Sequence, residues 1–312
     1  MTVNVNLWAK SGNISLPGAG PVPIWGFAAS AAGAPQLPGP AIEFMQGDNV
    51  EVGLTNNLSI PVSLVFPGQE FTPHPVKNAN GMFVSYNHQT APGSTGTYTF
   101  TASRPGIFLY ESGTSQEQQI QMGLYGVMVV RPTGYDSANP STWTAYGPGT
   151  GTEYDIEKVL VIGEVDTHLH NALATGQTPE TYNPDYFIIN GRSYPDAIEP
   201  DDTDSQPYSS KVTAVSGQRV LLRIINAGFM SHNIRLQGFT ARVIAGDSWS
   251  LKSAILDATY EKHTVTIGSG QSYDLLFTAP APGLYLLYDR DLNRIVNNND
   301  FPGGIMTHIE VT

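Results

Sequence analysis

Cysteine is absent from this chain of 312 residues. A protein without cysteine cannot form a disulfide, present a thiolate nucleophile or offer a thiolate ligand to a metal. Charged residues are also scarce, at 13%, and acidic side chains outnumber basic ones by 27 to 15, for a net charge of −12. This charge balance argues against a nucleic-acid partner, because contacts to phosphates require positive charge.

Long apolar runs are missing as well, so the sequence predicts no membrane span. The opening segment, MTVNVNLWAK, lacks the apolar stretch of a signal peptide. Glycine (32) and proline (23) are abundant, as is typical of a loop-rich β protein that works outside the cytosol. We therefore expect an extracytoplasmic protein, periplasmic, secreted or on the cell surface, whose signal peptide is absent from this sequence.

The chain repeats one pattern of turns and strands. Glycines recur in pairs at 47 and 217, 106 and 283, and 126 and 304, with offsets of 170, 177 and 178. Strings such as TYTFTA and YDLLFTA alternate apolar with polar residues or form short apolar blocks, and turn formers bound them. The repetition predicts two copies of one β domain, 1–135 and 158–312, joined by a linker over 136–157.

The repeated strings resemble the cupredoxin domains of multicopper oxidases. In the first copy they are PGPAIEFMQGDNVEVGLTNNL, PGSTGTYTFTASRPGIFLYESG and GLYGVMVVRP; in the second they are FIINGRSYP, VSGQRVLLRIINAGF and VTIGSGQSYDLLFTAPAPGLYLLYD. The resemblance covers roughly 38–132 and 186–312. It implies an all-β protein with two tandem cupredoxin-like Greek-key β-sandwich domains.

At the positions where the resemblance implies copper ligands, the first copy carries other residues. His-X-His pairs are expected before Gly68 and after Tyr110, and Val65, Pro67, Glu111 and Gly113 stand there instead. We expect Val65, Phe66, Pro67 and Leu109 to fill the resulting space by packing. Glu111 should then face Arg235 or Arg290, or reach water, because an unpaired buried carboxylate is costly.

The second copy departs in the same way. Of its implied ligands only His232 remains; Arg235, Gln237 and Phe239 occupy the neighbouring places, and Tyr288, Asp289 and Arg290 replace a His-Cys-His segment. A blue copper centre needs a thiolate beside two imidazoles. A trinuclear cluster in this family needs about eight imidazoles, and the chain has seven histidines. We therefore expect neither standard centre, while copper or calcium at another site stays open.

Three histidines are candidate metal ligands. The segment 164–174 could hold a short helix or a connector. If it is extended, His168 and His170, in DTHLHN, would share one face, and Glu164 or Asp166 could join them. A lone pair of this kind is more often solvent-facing. His232 is either a retained ligand or a hydrogen-bonded histidine at the start of a strand. His74 and His88 could meet across the loop that contains them.

A calcium loop is the second candidate ion site. Asp289, Asp291, Asn293, the backbone of Ile295, Asn297 and Asp300 fall at offsets 1, 3, 5, 7, 9 and 12 of such a loop. Arg294 stands where the loop needs glycine, so a chance match in an Asn/Asp-rich turn is the stronger interpretation.

Three functions are consistent with these residues. The first is a divergent multicopper-oxidase-like protein that serves as an extracytoplasmic binding or assembly module. The second is an atypical copper oxidoreductase with a non-standard or intersubunit site. The third is a structural surface protein that self-associates as a homo-oligomer or filament, through the N-terminal strands NVNLWAK and GNISLP with Trp8 and Trp25 as anchors. We favour a non-enzymatic role, with its own copies or another extracytoplasmic protein as partner.

Overall fold

A computed structural model describes residues 2–178, 181–202 and 204–312. Strands dominate, and their sequences explain why. In the segment Asn49–Asn56, exposed or half-buried residues alternate with Val50, Val52 and Leu54, which point into a core. Arg219–Asn226 is instead buried along nearly its whole length, as expected of a strand covered on both faces.

From residue 2 onward, the first domain holds nine strands and one short α-helix. Their bounds are β1 Thr2–Ile14, β2 Val22–Ala28, β3 Gly39–Met45, β4 Asn49–Asn56, β5 Val76–Lys77, β6 Phe83–Ser85, β7 Thr95–Thr101, β8 Gly106–Glu111, α1 Gln116–Gln119 and β9 Tyr125–Arg131. One sheet has the order β2-β1-β4-β7 and faces a second of order β3-β9-β8, with β5 and β6 as a separate hairpin.

In its described residues, the second domain holds twelve strands and one α-helix. Their bounds are β10 Ile156–Val165, α2 Thr167–Ala174, β11 Tyr186–Ile189, β12 Val212–Ala214, β13 Arg219–Asn226, β14 His232–Leu236, β15 Ala241–Gly246, β16 Trp249–Ser250, β17 Tyr260–Lys262, β18 Thr264–Ile267, β19 Ser272–Thr278, β20 Gly283–Asp289 and β21 Met306–Val311. One sheet has the order β11-β10-β13-β19-β15-β16, with β17 on β15, and the other β12-β21-β20-β14-β18.

The two domains share one topology. In the first sheets, β2-β1-β4-β7 corresponds to β11-β10-β13-β19, and both β1–β4 and β10–β13 run parallel. In the second sheets, β3-β9-β8 corresponds to β12-β21-β20. The all-β fold with two cupredoxin-like domains is therefore confirmed. The exact domain boundaries stay a prediction, although β10 begins at Ile156, inside the predicted linker.

The domains also share a core. One buried cluster joins Ile24 and Leu109 of the first domain to Val161 and Ile225 of the second. Removing such apolar surface from water contributes about 25 cal/mol per Å². This shared cluster holds the two sandwiches against each other and places β8 beside β13.

The N-terminal segment is correctly predicted as strand, but as one strand rather than two. β1 pairs with β4 through Thr2–Ala9 and with β2 through Trp8–Ile14. Leu7 and Ala9 are fully buried. Trp25 packs against Leu169 and Leu173 of α2. Trp8 and Trp25 are both half-buried, and their role in assembly stays a prediction.

No helix in the described part of the chain is long and apolar enough to cross a membrane.

Candidate functional site

A buried histidine held between two carboxylates forms the candidate site. Glu164 lies near the end of β10, His232 begins β14 and Asp289 ends β20. His232 Nδ1 is 2.7 Å from Asp289 Oδ2, and its Nε2 is 3.3 Å from Glu164 Oε2. The exposed fractions of the three residues are 0% for His232, 0% for Asp289 and 4% for Glu164.

The Glu164 carboxylate accepts further hydrogen bonds from the loop that precedes β14 and from Tyr182, which lies between α2 and β11. Its Oε1 accepts from the backbone N–H of Met230 at 3.0 Å, from that of Phe229, and from the Tyr182 hydroxyl at 2.7 Å. Gly228 makes this approach feasible, since a Cβ there would overlap the carboxylate. A buried carboxylate with several donors is stabilised in its charged form.

Arg294 adds a second cation at the edge of the cluster. Its guanidinium donates to the backbone carbonyl of Ser231, lies 3.9 Å from Asp289 Oδ2 and sits over the ring of Phe187. Two carboxylates thus face one imidazole and one guanidinium. A buried ionic group of this kind is tolerated when its charges are paired and hydrogen-bonded.

The pKa values follow from these contacts. Burial disfavours a charged imidazole, but the hydrogen bonds to Asp289 and Glu164 outweigh it and raise the pKa of His232 above its usual 6.5. Burial likewise disfavours a charged Glu164, yet the hydrogen bonds from His232 and Tyr182 lower the pKa of this carboxyl. The contacts with the two carboxylates therefore shift His232 towards its imidazolium form.

This arrangement does not fit a blue copper centre. Copper would need a free imidazole nitrogen and a thiolate, whereas both ring nitrogens of His232 are engaged by carboxylates and Asp289 stands at the thiolate position. Within residues 2–178, 181–202 and 204–312, no group of three or more His, Asp or Glu side chains has the geometry to hold a metal ion.

In the first domain, the implied copper positions lie on a short backbone bridge. Val65 N–H donates to the carbonyl of Glu111 at 2.9 Å, and Glu111 N–H donates back to Val65 at 3.1 Å. Val65, Phe66 and Leu109 are buried, as expected, but Pro67 is exposed. Gly113 is close-packed, since a Cβ there would meet a methyl group of Val65.

Glu111 does not pair with an arginine. In the described part of the chain its carboxylate meets neither Arg235, which is half-buried on β14, nor Arg290. Of the three expected alternatives, contact of Glu111 with water stays a prediction. Instead Glu111 lines a cavity of about 260 Å³ between the domains. Burial raises the pKa of this carboxyl to about 7. Gln237, the remaining implied position, is exposed on the protein surface.

The expectation that His168 and His170 share one face is wrong, because the segment is helical. Asp166 caps α2 by accepting from the Leu169 N–H at 3.0 Å, and residues two apart on a helix point in different directions. His168 is exposed, whereas His170 is buried with Nδ1 2.6 Å from the carbonyl of Pro23. Burial lowers the pKa of His170.

The candidate calcium loop does not gather its side chains around one centre. Asp289 turns inward to His232, and Asn297 bonds to Ser193 and, at 2.7 Å, to the carbonyl of Tyr194. A short 3-10 turn, Leu292–Arg294, lies between them. The loop therefore does not adopt a calcium-binding arrangement.

His74 and His88 do approach each other, with ring centroids 6.2 Å apart. His88 stacks on Tyr98 at 4.3 Å, so this pair is part of a packed aromatic contact.

The sequence did not reveal Tyr182, Gly228 or Arg294 as parts of the site. One indication was available: Glu164 interrupts the apolar run VLVIGEV, and a charged residue in a buried strand needs a partner. The partner was predicted among its sequence neighbours, whereas it comes from β14, 68 residues along the chain.

Known proteins share this architecture. Residues 28–134 and residues 164–312 each match a multicopper oxidase domain family. The chain belongs to the multicopper oxidase family. Among curated relatives, Laccase-2 of Botryotinia fuckeliana is 27% identical over 258 residues, 78% of this chain and 39% of the laccase. Laccase-7 of Oryza sativa subsp. japonica is 28% identical over 80% of this chain and 41% of its own length.

This multicopper oxidase family member thus spans about 40% of the length of those laccases and is close in extent to shorter relatives. The structure of the Blue Copper Oxidase from Nitrosomonas europaea matches with a TM-score of 0.77 and 25% identity, over all of this chain and 86% of that one. The copper nitrite reductase from the same organism matches with a TM-score of 0.69 and 24% identity, over 100% and 94%. The second likeness shows the fold alone.

Proposed function

We propose that this chain is a multicopper oxidase family protein without blue or trinuclear copper chemistry, which acts outside the cytoplasm through binding or assembly. The observation that carries the proposal is the engagement of both His232 ring nitrogens by carboxylates, in a chain that has no cysteine. Paired charges hold the end of β20 to β14 and β10; they belong to Glu164, His232, Asp289 and Arg294.

The extracytoplasmic location is proposed from composition. The chain is poor in charge and rich in glycine and proline, and a surface with a net charge of −12 favours solubility over adhesion to nucleic acid. The partner class is its own copies or another protein of the same compartment.

Metal loading tests the proposal. The purified chain is exposed to a slight excess of Cu(II), desalted, and examined by metal analysis and by visible absorption. We expect no intense thiolate-to-copper band in the red, less than one equivalent of retained copper, and no oxidation of phenols or reduction of nitrite. Botryotinia fuckeliana Laccase-2, treated in parallel, controls for the loading and the phenol assay.

The alternative, an atypical metalloenzyme, gives a different result in the same experiment. Stoichiometric copper that disappears in Glu111→Gln would show a remodelled carboxylate site and overturn the proposal. Copper that disappears in His168→Gln would point to a site on α2. We expect both variants to match the parent chain in metal content.

A further inference from the structure

Two histidines flank the β5–β6 hairpin of the first domain, far from the buried site of His232. The rings of His74 and His88 have their centroids 6.2 Å apart and their planes inclined by 55°. His74 is exposed, and the ring nitrogens of half-buried His88 are open to solvent. Among the described residues, no group forms a hydrogen bond with a ring nitrogen of either histidine. These nitrogens are therefore available to a ligand.

The buried amide of Asn87 places the two histidines side by side. Its Oδ1 accepts from the backbone N–H of His74 at 3.1 Å and from that of His88 at 2.9 Å. Its Nδ2 donates to the carbonyl of Leu64 at 2.9 Å, and only 3% of the residue is exposed. Because one fixed oxygen binds both backbones, the two histidines stay close even when their side chains move.

Further contacts restrict each histidine. The ring of His88 stacks on buried Tyr98, with centroids 4.3 Å apart and planes 8° apart, and the Tyr98 hydroxyl donates to the His88 carbonyl at 2.9 Å. His74 lies between Pro73 and Pro75. Proline fixes its own backbone and keeps the residue before it extended. Two ligands held in this way lose little conformational freedom when they bind an ion.

The separation of the rings is compatible with one shared metal ion. Zinc binds imidazole nitrogen at about 2.0–2.1 Å, so two rings on one ion have centroids about 4.5 Å apart at a right angle and about 6.4 Å apart on a straight line. The observed 6.2 Å lies within this range. A tetrahedral angle needs an approach of about 1 Å, which a rotation of the exposed His74 side chain supplies.

We propose that His74 and His88 together bind a divalent transition-metal ion of the kind that prefers imidazole nitrogen, such as Zn²⁺. Within the described residues no third His, Asp or Glu completes a metal-binding group, so water would fill the remaining positions. Such an ion exchanges readily and is lost on desalting. The net charge of −12 favours the approach of cations. The inference is independent of the proposed function, because neither histidine stands at an implied copper position.

Calorimetric titration of the full chain with Zn²⁺ near neutral pH tests the inference. His74→Gln removes one ligand from an exposed position and should fold. His88→Phe removes the other ligand but keeps a ring to stack on Tyr98. His168→Gln and His263→Gln are the matched controls, since each removes an exposed histidine elsewhere. Ca²⁺, which prefers oxygen ligands, serves as the control ion and should not displace Zn²⁺.

We expect saturable Zn²⁺ binding by the parent chain and by both controls. Loss of a residue that merely supports a metal ligand costs about 10–100-fold in affinity, so loss of one of two ligands should weaken binding by about tenfold or more. His74→Gln decides the question if His88→Phe does not fold. Absence of saturable binding, equal affinity in His74→Gln, or an equal loss in either control would overturn the inference.

Discussion

At the scale of single residues, this protein shows two outcomes for a buried charge. Glu164 and Asp289 are paired with His232, one on each side of its ring, within the core. Glu111 has no such partner among the residues that the structure describes, and its pKa rises to about 7 because burial disfavours the carboxylate. Both raised pKa values make the parent chain lose stability as pH rises, but replacing the two residues should change its stability in opposite directions.

Replacing Glu111 with glutamine should stabilise the protein at alkaline pH. The usual pKa of this carboxyl is 4.5 and its folded value about 7, so the folded chain binds more protons between these values and loses stability as pH rises. The penalty is complete above pH 7. We expect Glu111→Gln to exceed the parent by on the order of 2 kcal/mol there, measured by urea denaturation from pH 5 to 8. Equal curves for the two proteins would contradict the burial of this carboxylate.

Replacing His232 with glutamine should destabilise the protein, and most strongly at acidic pH. It leaves Glu164 and Asp289 buried without their shared cation, which costs about 3–5 kcal/mol in comparable cases. Because the folded pKa of His232 is raised, its contribution is complete below the usual value near 6.5 and is lost as pH rises through the folded pKa. The loss in His232→Gln should therefore shrink at alkaline pH. His263→Gln, at an exposed histidine, should leave stability unchanged at every pH.

The residues of this site were only partly predictable. The resemblance drew attention to His232 and Asp289 together, because both stand at implied copper positions. Their mutual hydrogen bond could not be inferred from sequence, and neither could Glu164 as the third member, since the strands that carry them are far apart in the chain. Spacing along the sequence does not report which side chains meet across a sandwich.

At the scale of elements, local sequence patterns determine the conformation of some segments, and tertiary contacts determine that of others. Alternation predicted strands such as β4 correctly, because one face of each strand meets a core. The segment after β10 is a helix, since Asp166 caps it and Leu169 and Leu173 pack against Trp25. A cap followed by apolar residues at four-residue spacing was a helix signal, and an extended His168–His170 pair was wrong for that reason.

The start of β10 carries an ion-pair network that joins the domains. Glu157 contacts Arg131 of the first domain and Arg223 of the second, each at 2.6 Å, and Arg223 also contacts Asp274 at 2.6 Å. Burial opposes the ionisation of Glu157, but the two arginines lower its pKa. Arg223 is fully buried, so this network needs all of its partners.

Removing the shared carboxylate should weaken the contact between domains. We expect Glu157→Gln to lower the free energy of unfolding by about 3–5 kcal/mol, and to separate the unfolding of the two domains into two transitions in urea. Asp155→Asn is the matched control, since Asp155 pairs with Arg219 in an exposed position and such pairs contribute about 0–1 kcal/mol. Equal losses in the two variants would show that burial of Glu157 does not matter.

At the scale of the whole molecule, the duplication could be predicted most fully. Offsets of 170–178 residues between matched glycines predicted two copies, and the strand orders β2-β1-β4-β7 and β11-β10-β13-β19 are the same arrangement. The mode of assembly could not be predicted in this way, because the sequence of one chain does not show which of its surfaces contact other chains. The structure nonetheless narrows where self-association through the N-terminal strand could occur.

The first half of β1 has one open edge, as do Lys10–Ile14, which pair with β2 alone. Residues Thr2–Leu7 pair with β4 on one side only, since β2 pairs with β1 from Trp8 onward. Deleting residues 1–17 would remove Leu7 and Ala9 from the core and unfold the first domain, so it cannot test assembly. An unpaired strand edge can accept a strand from another chain, and lysine on an edge opposes this.

We therefore expect Asn4→Lys with Asn6→Lys to reduce the mass measured by light scattering from that of an oligomer to that of a monomer, with unchanged folding. Both side chains are exposed, so the core is not disturbed. Thr97→Lys with Thr99→Lys, at exposed positions on the outer strand β7, is the control and should leave the mass unchanged. A monomeric parent chain would refute self-association, and dissociation by the β7 pair alone would move the contact to the opposite edge of the same sheet.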